Sequence, residues 1–178
     1  MTREPRIVYL TGFMGCGKST VGRKLASVLG WDFVDLDELI EMKKSQSIGE
    51  IFLLSGEKTF RQYESEILHN LDIKSDTIVS VGGGAPCFSD NSEFMKATGM
   101  VIYLKMTPAQ LKERLLIDKK PRPLLKGLKD NELERFIELR LIDREPFYLQ
   151  AGIVEDGNDP EIEALAEKIM KMFRGRGK

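Results

Sequence analysis

The sequence predicts an α/β fold in which a five-stranded parallel sheet lies between two layers of helices, a three-layer α/β/α arrangement. Short runs of β-branched residues alternate along the chain with longer segments of helical periodicity. A glycine-rich loop joins the first of these runs to the first helical segment. The composition, 42% hydrophobic and 31% charged, is globular, and 178 residues can form a sizeable core. We therefore expect a single domain over residues 1–178.

The first strand and the first helix flank the most informative motif of the chain. Residues 6–10, which read RIVYL, predict a buried strand. Four apolar residues then fall on one face of a helix that Gly30 is expected to end: Val21, Leu25, Val28 and Leu29. Between this strand and this helix, residues 12–19 read GFMGCGKS and match the phosphate-binding loop pattern G-x-x-x-x-G-K-[ST]. Because the motif requires this strand, loop and helix, the sequence predicts a P-loop NTPase-type fold.

The residue types in this loop suit a nucleoside triphosphate. Glycines at 12, 15 and 17 let the backbone turn with its N–H groups pointing inward, which makes an anion site at a helix N-terminus. Lys18 can reach the β- and γ-phosphates, and the Ser19 hydroxyl can bind Mg²⁺. We therefore expect the protein to bind a nucleoside triphosphate together with Mg²⁺.

The elements up to the middle of the chain follow from pattern and composition. Residues 32–35 (DFVD) predict the second strand, and residues 36–42 predict a helix. A further helix is expected from residue 47, with a break at Ser55-Gly56 and a longer continuation from 57 to about 71. The β-branched run at 77–81 predicts the third strand, which ends in three consecutive glycines, Gly82, Gly83 and Gly84.

The second half of the chain continues the alternation. Residues 100–104 (MVIYL) predict the fourth strand, and Thr107-Pro108 predicts an N-cap with proline in the first turn. Residues of about 118–130 are charged and contain two prolines around Arg122, which suggests a lid over the nucleotide. A helix is expected next, with Leu133, Phe136, Ile137 and Leu141 on its apolar face. Residues 152–155 predict the fifth strand, and a terminal helix is expected from residue 160.

Two acids stand at the end of the second strand. In open α/β sheets, ligands bind outside the carboxyl ends of the strands. Asp35 and Asp37 could therefore attend Mg²⁺ or accept a proton from a hydroxyl that attacks the γ-phosphate. The alternative is that they are ordinary acids of a helix N-terminus, which the helix dipole favours.

Arginines suggest an anionic second substrate. Arg61 and Glu64 lie three residues apart on a predicted helix, so they can meet, although a surface ion pair would explain them equally well. Arg140 and Arg144 fall on the apolar stripe of the helix after the predicted lid, where arginine either extends to solvent or meets a buried anion. A guanidinium pairs carboxylate or phosphate through two hydrogen bonds, so a substrate of that kind is plausible.

The triple glycine separates this chain from motor-type NTPases. Many phosphate-loop enzymes carry a magnesium-associated acid after the third strand, and residues 82–84 contain none. Three glycines instead allow a ligand to lie against bare backbone. The pattern argues for a small-molecule kinase.

Together these segments resemble shikimate kinase along nearly the whole chain. The matching segments are GFMGCGKSTVGR at 12–23, FVDLD at 33–37 with Ile40-Glu41, Ile51-Phe52, Gly56-Glu57, Phe60-Arg61 with Glu64, the glycines at 82–84, RPLL at 122–125 and REPFY at 144–148. The loop motif alone is shared by many kinases, whereas the ordered set is highly specific. The resemblance implies a nucleoside monophosphate kinase-like fold, with a substrate-binding helical segment at about 36–72. It also implies ATP-dependent phosphorylation of the 3-hydroxyl of shikimate, which yields 3-phosphoshikimate and ADP.

The resemblance also implies a role for each matching residue. ATP would be bound by Gly15, Cys16, Gly17, Lys18, Ser19, Thr20 and Arg122. Lys18 and Arg122 would stabilise the transferring phosphoryl group, Ser19 would hold Mg²⁺, and Asp35 would reach the metal through water. Asp37 would bind the ring hydroxyls and orient or deprotonate the attacking one.

The same match assigns the shikimate carboxylate. Arg61 and Arg144 would hold it, with the Gly83 backbone beside the ring and Gly82 and Gly84 in support. Glu64 would hold Arg61 in place. The adenine contacts stay open: the family often has one near the last strand, where residues 156–159 stand, and Arg114 is a candidate to pack against the base.

Charge and cysteine content bound the remaining properties. The net charge of −1 suggests no nucleic-acid partner, and no apolar segment is long enough for a membrane span. Two cysteines read as reduced thiols, and residues 1–5 lead directly into the first strand, so we expect a cytoplasmic monomer that acts on small molecules. The alternatives are a kinase for another hydroxylated substrate such as gluconate or a nucleoside monophosphate, a catalytically silent nucleotide-binding module, or one domain of a larger enzyme.

Overall fold

Five parallel strands form the centre of the protein in the computed structural model, which describes residues 4–118 and 122–175. The strands are β1 (Ile7–Thr11), β2 (Asp32–Asp35), β3 (Thr77–Ser80), β4 (Met100–Lys105) and β5 (Ile153–Asp156). The helices are α1 (Lys18–Leu29), α2 (Leu36–Lys44), α3 (Ile48–His69), α4 (Asn91–Thr98), α5 (Pro108–Ile117), α6 (Asp130–Tyr148) and α7 (Ile162–Gly175). Two 3₁₀ turns lie at Ala85–Cys87 and Pro123–Leu125.

The strand order places β1 at the middle of the sheet. The order is β2-β3-β1-β4-β5, and every neighbouring pair is parallel. All carboxyl ends therefore meet at one edge, where the loops after β1, β2 and β3 lie side by side. The predicted five-stranded parallel sheet is confirmed.

Helices cover both faces of the sheet, because alternate residues of the strands point to opposite sides. On β1, Val8 and Leu10 join a core formed with α1, α5, α6 and α7, whereas Tyr9 joins a second core formed with α2, α3 and α4. All three side chains are buried. The three-layer arrangement follows from these two cores.

Three local features refine the predicted elements. The break predicted at Ser55-Gly56 is confirmed as a kink within α3, where Gly56 has a non-helical φ of 79°. The prediction that Val28 lies on the buried face of α1 is wrong: it is 50% exposed and borders an open surface groove beside α7. Helix α4 was not predicted, since its eight residues contain only two large apolar side chains, Phe94 and Met95.

The described residues cover part of the predicted lid. Residues 119–121 lie outside them, whereas Arg122 and the following 3₁₀ turn are described, and this turn contacts α3. Among the described residues, no helix is long and apolar enough to cross a membrane.

Candidate functional site

The loop between β1 and α1 has the backbone shape of a phosphate cradle. Gly12, Gly15 and Gly17 have φ angles of 139°, 83° and 91°, a region that side chains other than glycine rarely adopt. Gly17 is the N-cap of α1, so the first N–H groups and the positive end of the helix dipole face the loop. Cys16 is buried within the loop, and Thr20 is exposed in the first turn of the helix.

Lys18 brings a positive charge to this cradle. Its ammonium group donates hydrogen bonds to the carbonyl oxygens of Gly12 (2.9 Å) and Phe13 (3.0 Å), so the side chain folds back across the loop. The residue is only 9% exposed. A buried ammonium beside inward-facing N–H groups is suited to a polyphosphate, because both carry positive charge toward the same point.

A cluster of oxygen atoms beside the cradle fits magnesium. The Ser19 hydroxyl donates to Asp35 Oδ2 at 2.5 Å and lies 3.5 Å from the Ser80 hydroxyl at the end of β3. Asp35 also caps α2, because its Oδ1 accepts from the N–H group of Asp37 at 3.0 Å. Among the described residues, no group of three or more His, Cys, Asp or Glu could hold a metal alone. A hydroxyl and one carboxylate suit Mg²⁺, which keeps waters and takes further oxygens from phosphates.

Arg61 and Glu64 form a buried ion pair on α3, not a surface pair. Arg61 Nη1 donates to Glu64 Oε2 at 2.6 Å, and Nη2 donates to Glu57 at 3.4 Å. Complete burial raises the pKa of Glu64 to about 7, and the Arg61 guanidinium opposes this rise. Burial alone would lower the pKa of Arg61, but the charge of Glu64 reverses the shift and raises it. The pair thus fixes a guanidinium at the carboxyl edge of the sheet.

The triple glycine packs directly against this pair. A Cβ atom on Gly84 would overlap Cζ and Nη2 of Arg61 and lie 2.8 Å from Nη1. A Cβ atom on Gly82 would overlap Oε1 of Glu64 and lie 3.4 Å from Asp37 Oδ1. The absence of side chains at these positions therefore lets a guanidinium and two carboxylates approach the backbone after β3.

Gly83 brings this segment against the phosphate loop. A Cβ atom there would lie 3.1 Å from the Gly12 carbonyl oxygen and 3.2 Å from the Met14 nitrogen. The Gly83 carbonyl oxygen accepts a short hydrogen bond from the hydroxyl of Tyr148 on α6. One glycine thus touches both the phosphate cradle and α6.

Arg144 lies one helical turn before Tyr148 and is 7% exposed. Its guanidinium lies 5.6 Å from the ring centre of Phe13 in the phosphate loop. Its charge also acts on the buried Glu64 carboxylate, so Arg144 lies near the Arg61–Glu64 pair. Arg140 differs from Arg144: it is partly exposed and lies against Phe136 of its own helix.

Six residues cluster in one region, here called the acceptor pocket: Asp37, Arg61, Gly82, Gly83, Gly84 and Arg144. It offers two guanidinium groups, one carboxylate and bare backbone next to the phosphate cradle. Cys87 lies near both arginines, and burial raises the pKa of its thiol to about 11, so the thiol is neutral at pH 7. The pocket is thus suited to a small anion that carries hydroxyl groups.

Arg122 stands apart from the other predicted phosphate ligands. Its Nη2 donates to Asp118 Oδ2 at 2.6 Å, and its Nε is buried with no hydrogen-bond partner among the described residues. The described ion pair of this arginine therefore lies within the predicted lid, and no described hydrogen bond joins it to the phosphate loop.

Arg114, a candidate adenine contact, joins the phosphate loop to the segment at residues 156–159. Its Nη1 donates to the Cys16 carbonyl at 3.2 Å, and its Nη2 donates to the Asn158 carbonyl at 2.7 Å. The arginine on α5 thus ties the phosphate loop to the turn after β5. The sequence could not predict this contact, because Asn158 takes part only through its backbone carbonyl.

Comparison with known proteins is consistent across sequence and structure. The family model described as shikimate kinase matches residues 14–174. A shikimate kinase of Parabacteroides distasonis is 41% identical over 170 residues, which are 93% of this chain and 98% of that protein. The structure of shikimate kinase from Bacteroides thetaiotaomicron is 39% identical with a TM-score of 0.86 and covers 95% of this chain and 98% of that chain. A shikimate kinase from Acinetobacter baumannii, solved in complex with shikimate, is 35% identical with a TM-score of 0.84. The match covers 97% of this chain and 95% of that chain.

Proposed function

The chain belongs to the shikimate kinase family, and from that premise we propose how its own residues carry out the reaction. The enzyme transfers a phosphoryl group from ATP to shikimate. We propose that the acceptor is the 3-hydroxyl and that the products are 3-phosphoshikimate and ADP. The observation that carries the proposal is the acceptor pocket, where two buried arginines and a carboxylate converge on bare glycine backbone beside the phosphate cradle.

The two arginines hold the shikimate carboxylate. Arg61 lies on α3 and is oriented by Glu64, and Arg144 lies on α6. A guanidinium binds a carboxylate through two parallel hydrogen bonds, so the pair fixes both position and orientation of the ring. Gly83 presents its backbone to the ring, while Gly82 and Gly84 leave room for Glu64 and Arg61.

Asp37 attends the reacting hydroxyl. It lies in the first turn of α2, beside the Glu64 carboxylate and the glycine segment. The hydroxyl oxygen forms a bond to the γ-phosphorus as the bond to the bridging oxygen of ADP breaks, and Asp37 accepts the released proton or orients the hydroxyl for attack.

The phosphate loop neutralises the charge that moves during transfer. Backbone N–H groups at residues 15–20 hold the β- and γ-phosphates, and Lys18 follows the γ-phosphoryl group. Ser19 and, through water, Asp35 are the residues that would hold Mg²⁺, which supplies charge neutralisation on the phosphates. Arg122 adds a further positive charge when the segment at about 118–130 closes over ATP.

We propose one shikimate kinase domain over residues 1–178, with the lid at about 118–130 and an acceptor-binding helical segment at about 36–72. The Pro123–Leu125 turn contacts α3, so the described part of the proposed lid lies against the proposed acceptor-binding segment. A cytoplasmic monomer is consistent with the free cysteines Cys16 and Cys87 and with small-molecule substrates.

The carboxylate assignment is tested with variants and a neutral substrate. Arg144→Ala is expected to raise the KM for shikimate by about 10- to 100-fold, since a charge-assisted hydrogen bond contributes about 1.5–3 kcal/mol. Arg61→Ala should act similarly, and neither variant should change the KM for ATP more than twofold. The methyl ester of shikimate, which has no negative charge, should bind wild type and Arg144→Ala almost equally.

Arg140→Ala is the matched control, because this arginine lies on the same helix against Phe136. It should leave the KM for shikimate unchanged. An equal rise in the KM for ATP in Arg61→Ala and Arg144→Ala, or an Arg140→Ala effect as large as that of Arg144→Ala, would contradict the assignment.

A further inference from the structure

The triple glycine is held by three hydrogen bonds of two different kinds. The carbonyl of Gly82 accepts from the N–H group of Ala85 at 3.0 Å, and that of Gly84 accepts from the N–H group of Cys87 at 3.1 Å. Both bonds are local and belong to the 3₁₀ turn that follows. The carbonyl of Gly83 instead accepts from a side chain, the hydroxyl of Tyr148, which lies 65 residues away in sequence.

Glycine needs such an external bond more than other residues do. Without a Cβ atom its backbone has many accessible conformations, so each peptide plane in a glycine run is held only by its hydrogen bonds and neighbours. The Tyr148 bond therefore determines which way the Gly83 peptide faces. That peptide lies against Gly12 and Met14 of the phosphate loop, at the junction of the two substrate sites.

Tyr148 also belongs to the helix that carries Arg144. The two residues are four apart on α6, so they lie on the same face of the helix. The Arg144 guanidinium lies close enough for its charge to lower the pKa of the phenol, against the larger effect of burial. The hydroxyl thus lies close to two parts of the acceptor pocket, the glycine segment and Arg144.

The surroundings keep the phenol rigid and protonated. Tyr148 has no exposed surface, and its ring lies 5.0 Å from that of Tyr103. Burial raises the pKa of the Tyr148 phenol, an effect that the neighbouring Arg144 only partly opposes. The hydroxyl therefore remains a donor over the whole pH range in which an enzyme of this kind works.

We propose that Tyr148 is a positioning residue for the acceptor: its hydroxyl fixes the Gly83 peptide relative to Arg144 and so sets the width of the pocket that receives the substrate carboxylate and ring. The inference rests on the acceptor pocket described under the proposed function. Tyr148 does not touch the reacting atoms, and it acts through Gly83 and Arg144.

The test removes the hydroxyl and keeps the ring. Loss of one hydrogen bond of this type costs about 0.5–1.5 kcal/mol, so Tyr148→Phe should raise the KM for shikimate by about 2- to 12-fold. The KM for ATP should stay within twofold, because the phosphate loop keeps its own hydrogen bonds. A purely structural tyrosine would instead lower the thermal unfolding midpoint without separating the two KM values.

Tyr103→Phe is the matched control. Tyr103 is equally buried and stacks on Tyr148, but its hydroxyl donates to Glu145 at 3.2 Å and not to the glycine segment. It should lose similar thermal stability and leave the KM for shikimate unchanged. Equal KM values for shikimate in Tyr148→Phe and Tyr103→Phe would overturn the proposal.

A double-mutant cycle separates this inference from the proposed function. If Tyr148 acts through Arg144, its replacement should have little further effect in the Arg144→Ala background. Additive effects of the two replacements would contradict the coupling even if Tyr148→Phe alone raised the KM. If Arg144→Ala itself left the KM for shikimate unchanged, the assignment of the pocket would fail. If Arg144→Ala raised that KM as expected but Tyr148→Phe did not, only the role proposed for Tyr148 would be refuted.

Discussion

Replacement of Gly84 by alanine should weaken acceptor binding through a single steric contact. Gly84 has φ −95° and ψ −11°, a conformation that alanine adopts without strain, so the backbone itself tolerates the change. The new Cβ atom would overlap the guanidinium of Arg61, 2.8 Å from Nη1 and closer to Cζ and Nη2. Ordinary van der Waals contact needs about 3.4–4 Å, so the guanidinium must move by about 1 Å.

That displacement affects the proposed carboxylate site. Arg61 Nη1 lies 2.6 Å from Glu64, and a shift of this size would break or rotate the pair that orients the guanidinium. If the bond to the substrate carboxylate is lost, the cost is about 1.5–3 kcal/mol, which corresponds to a rise of about 10- to 100-fold in the KM for shikimate. The KM for ATP should change little, since Lys18 keeps its own hydrogen bonds within the phosphate loop.

Steady-state kinetics with shikimate varied at saturating ATP measures the effect. Gly49→Ala is the control, because the nearest atom to its new Cβ would be Ser47 Oγ at 3.9 Å. Gly49 lies near the start of α3, the helix that carries Arg61, and its replacement should leave both KM values unchanged. A Gly84→Ala enzyme with a wild-type KM for shikimate would refute the argument that the glycine is required by the position of Arg61.

Two further predictions concern pH and the nucleotide side of the site. Because the pKa of Glu64 is raised from 4.5 to about 7, its contribution to stability is full below pH 4.5 and is lost as the pH rises through about 7. Between pH 5 and 8 the free energy of unfolding of wild type should therefore fall by up to about 3 kcal/mol more than that of Glu64→Gln, as measured by urea unfolding. Identical pH profiles of the two proteins would argue against a buried carboxylate at this position. Arg114→Ala removes the bridge from the phosphate loop to the turn after β5, so the KM for ATP should rise about 10-fold while the KM for shikimate stays constant. An unchanged KM for ATP would show that this bridge does not shape the nucleotide site.

Local patterns predicted the parts of the fold that local physics determines. The phosphate loop was recognisable because Gly12, Gly15 and Gly17 adopt positive φ angles that only glycine accepts easily. The kink at Gly56 has the same origin. Parallel strands were recognisable from short buried runs between helices, since their residues contact helices on both faces.

Contacts between distant segments could not be predicted in the same way. Tyr148 and Gly83 are 65 residues apart, and Arg114 and Asn158 are 44 apart, so no periodicity connects them. A backbone carbonyl also leaves no trace in the sequence. Periodicity likewise placed Val28 on the buried face of α1, although this side chain borders an open groove and is 50% exposed.

The most direct test of the account is ADP release with ATP and Mg²⁺ and a panel of acceptors, coupled to NADH oxidation. The panel contains shikimate, gluconate and nucleoside monophosphates at equal concentration. We expect turnover with shikimate only, because the acceptor pocket offers two arginines and bare glycine backbone and, among its six residues, no side chains that read a base. Turnover with gluconate or a nucleotide in place of shikimate would contradict the assignment of this pocket, and ATP binding without turnover of any acceptor would contradict the proposed mechanism.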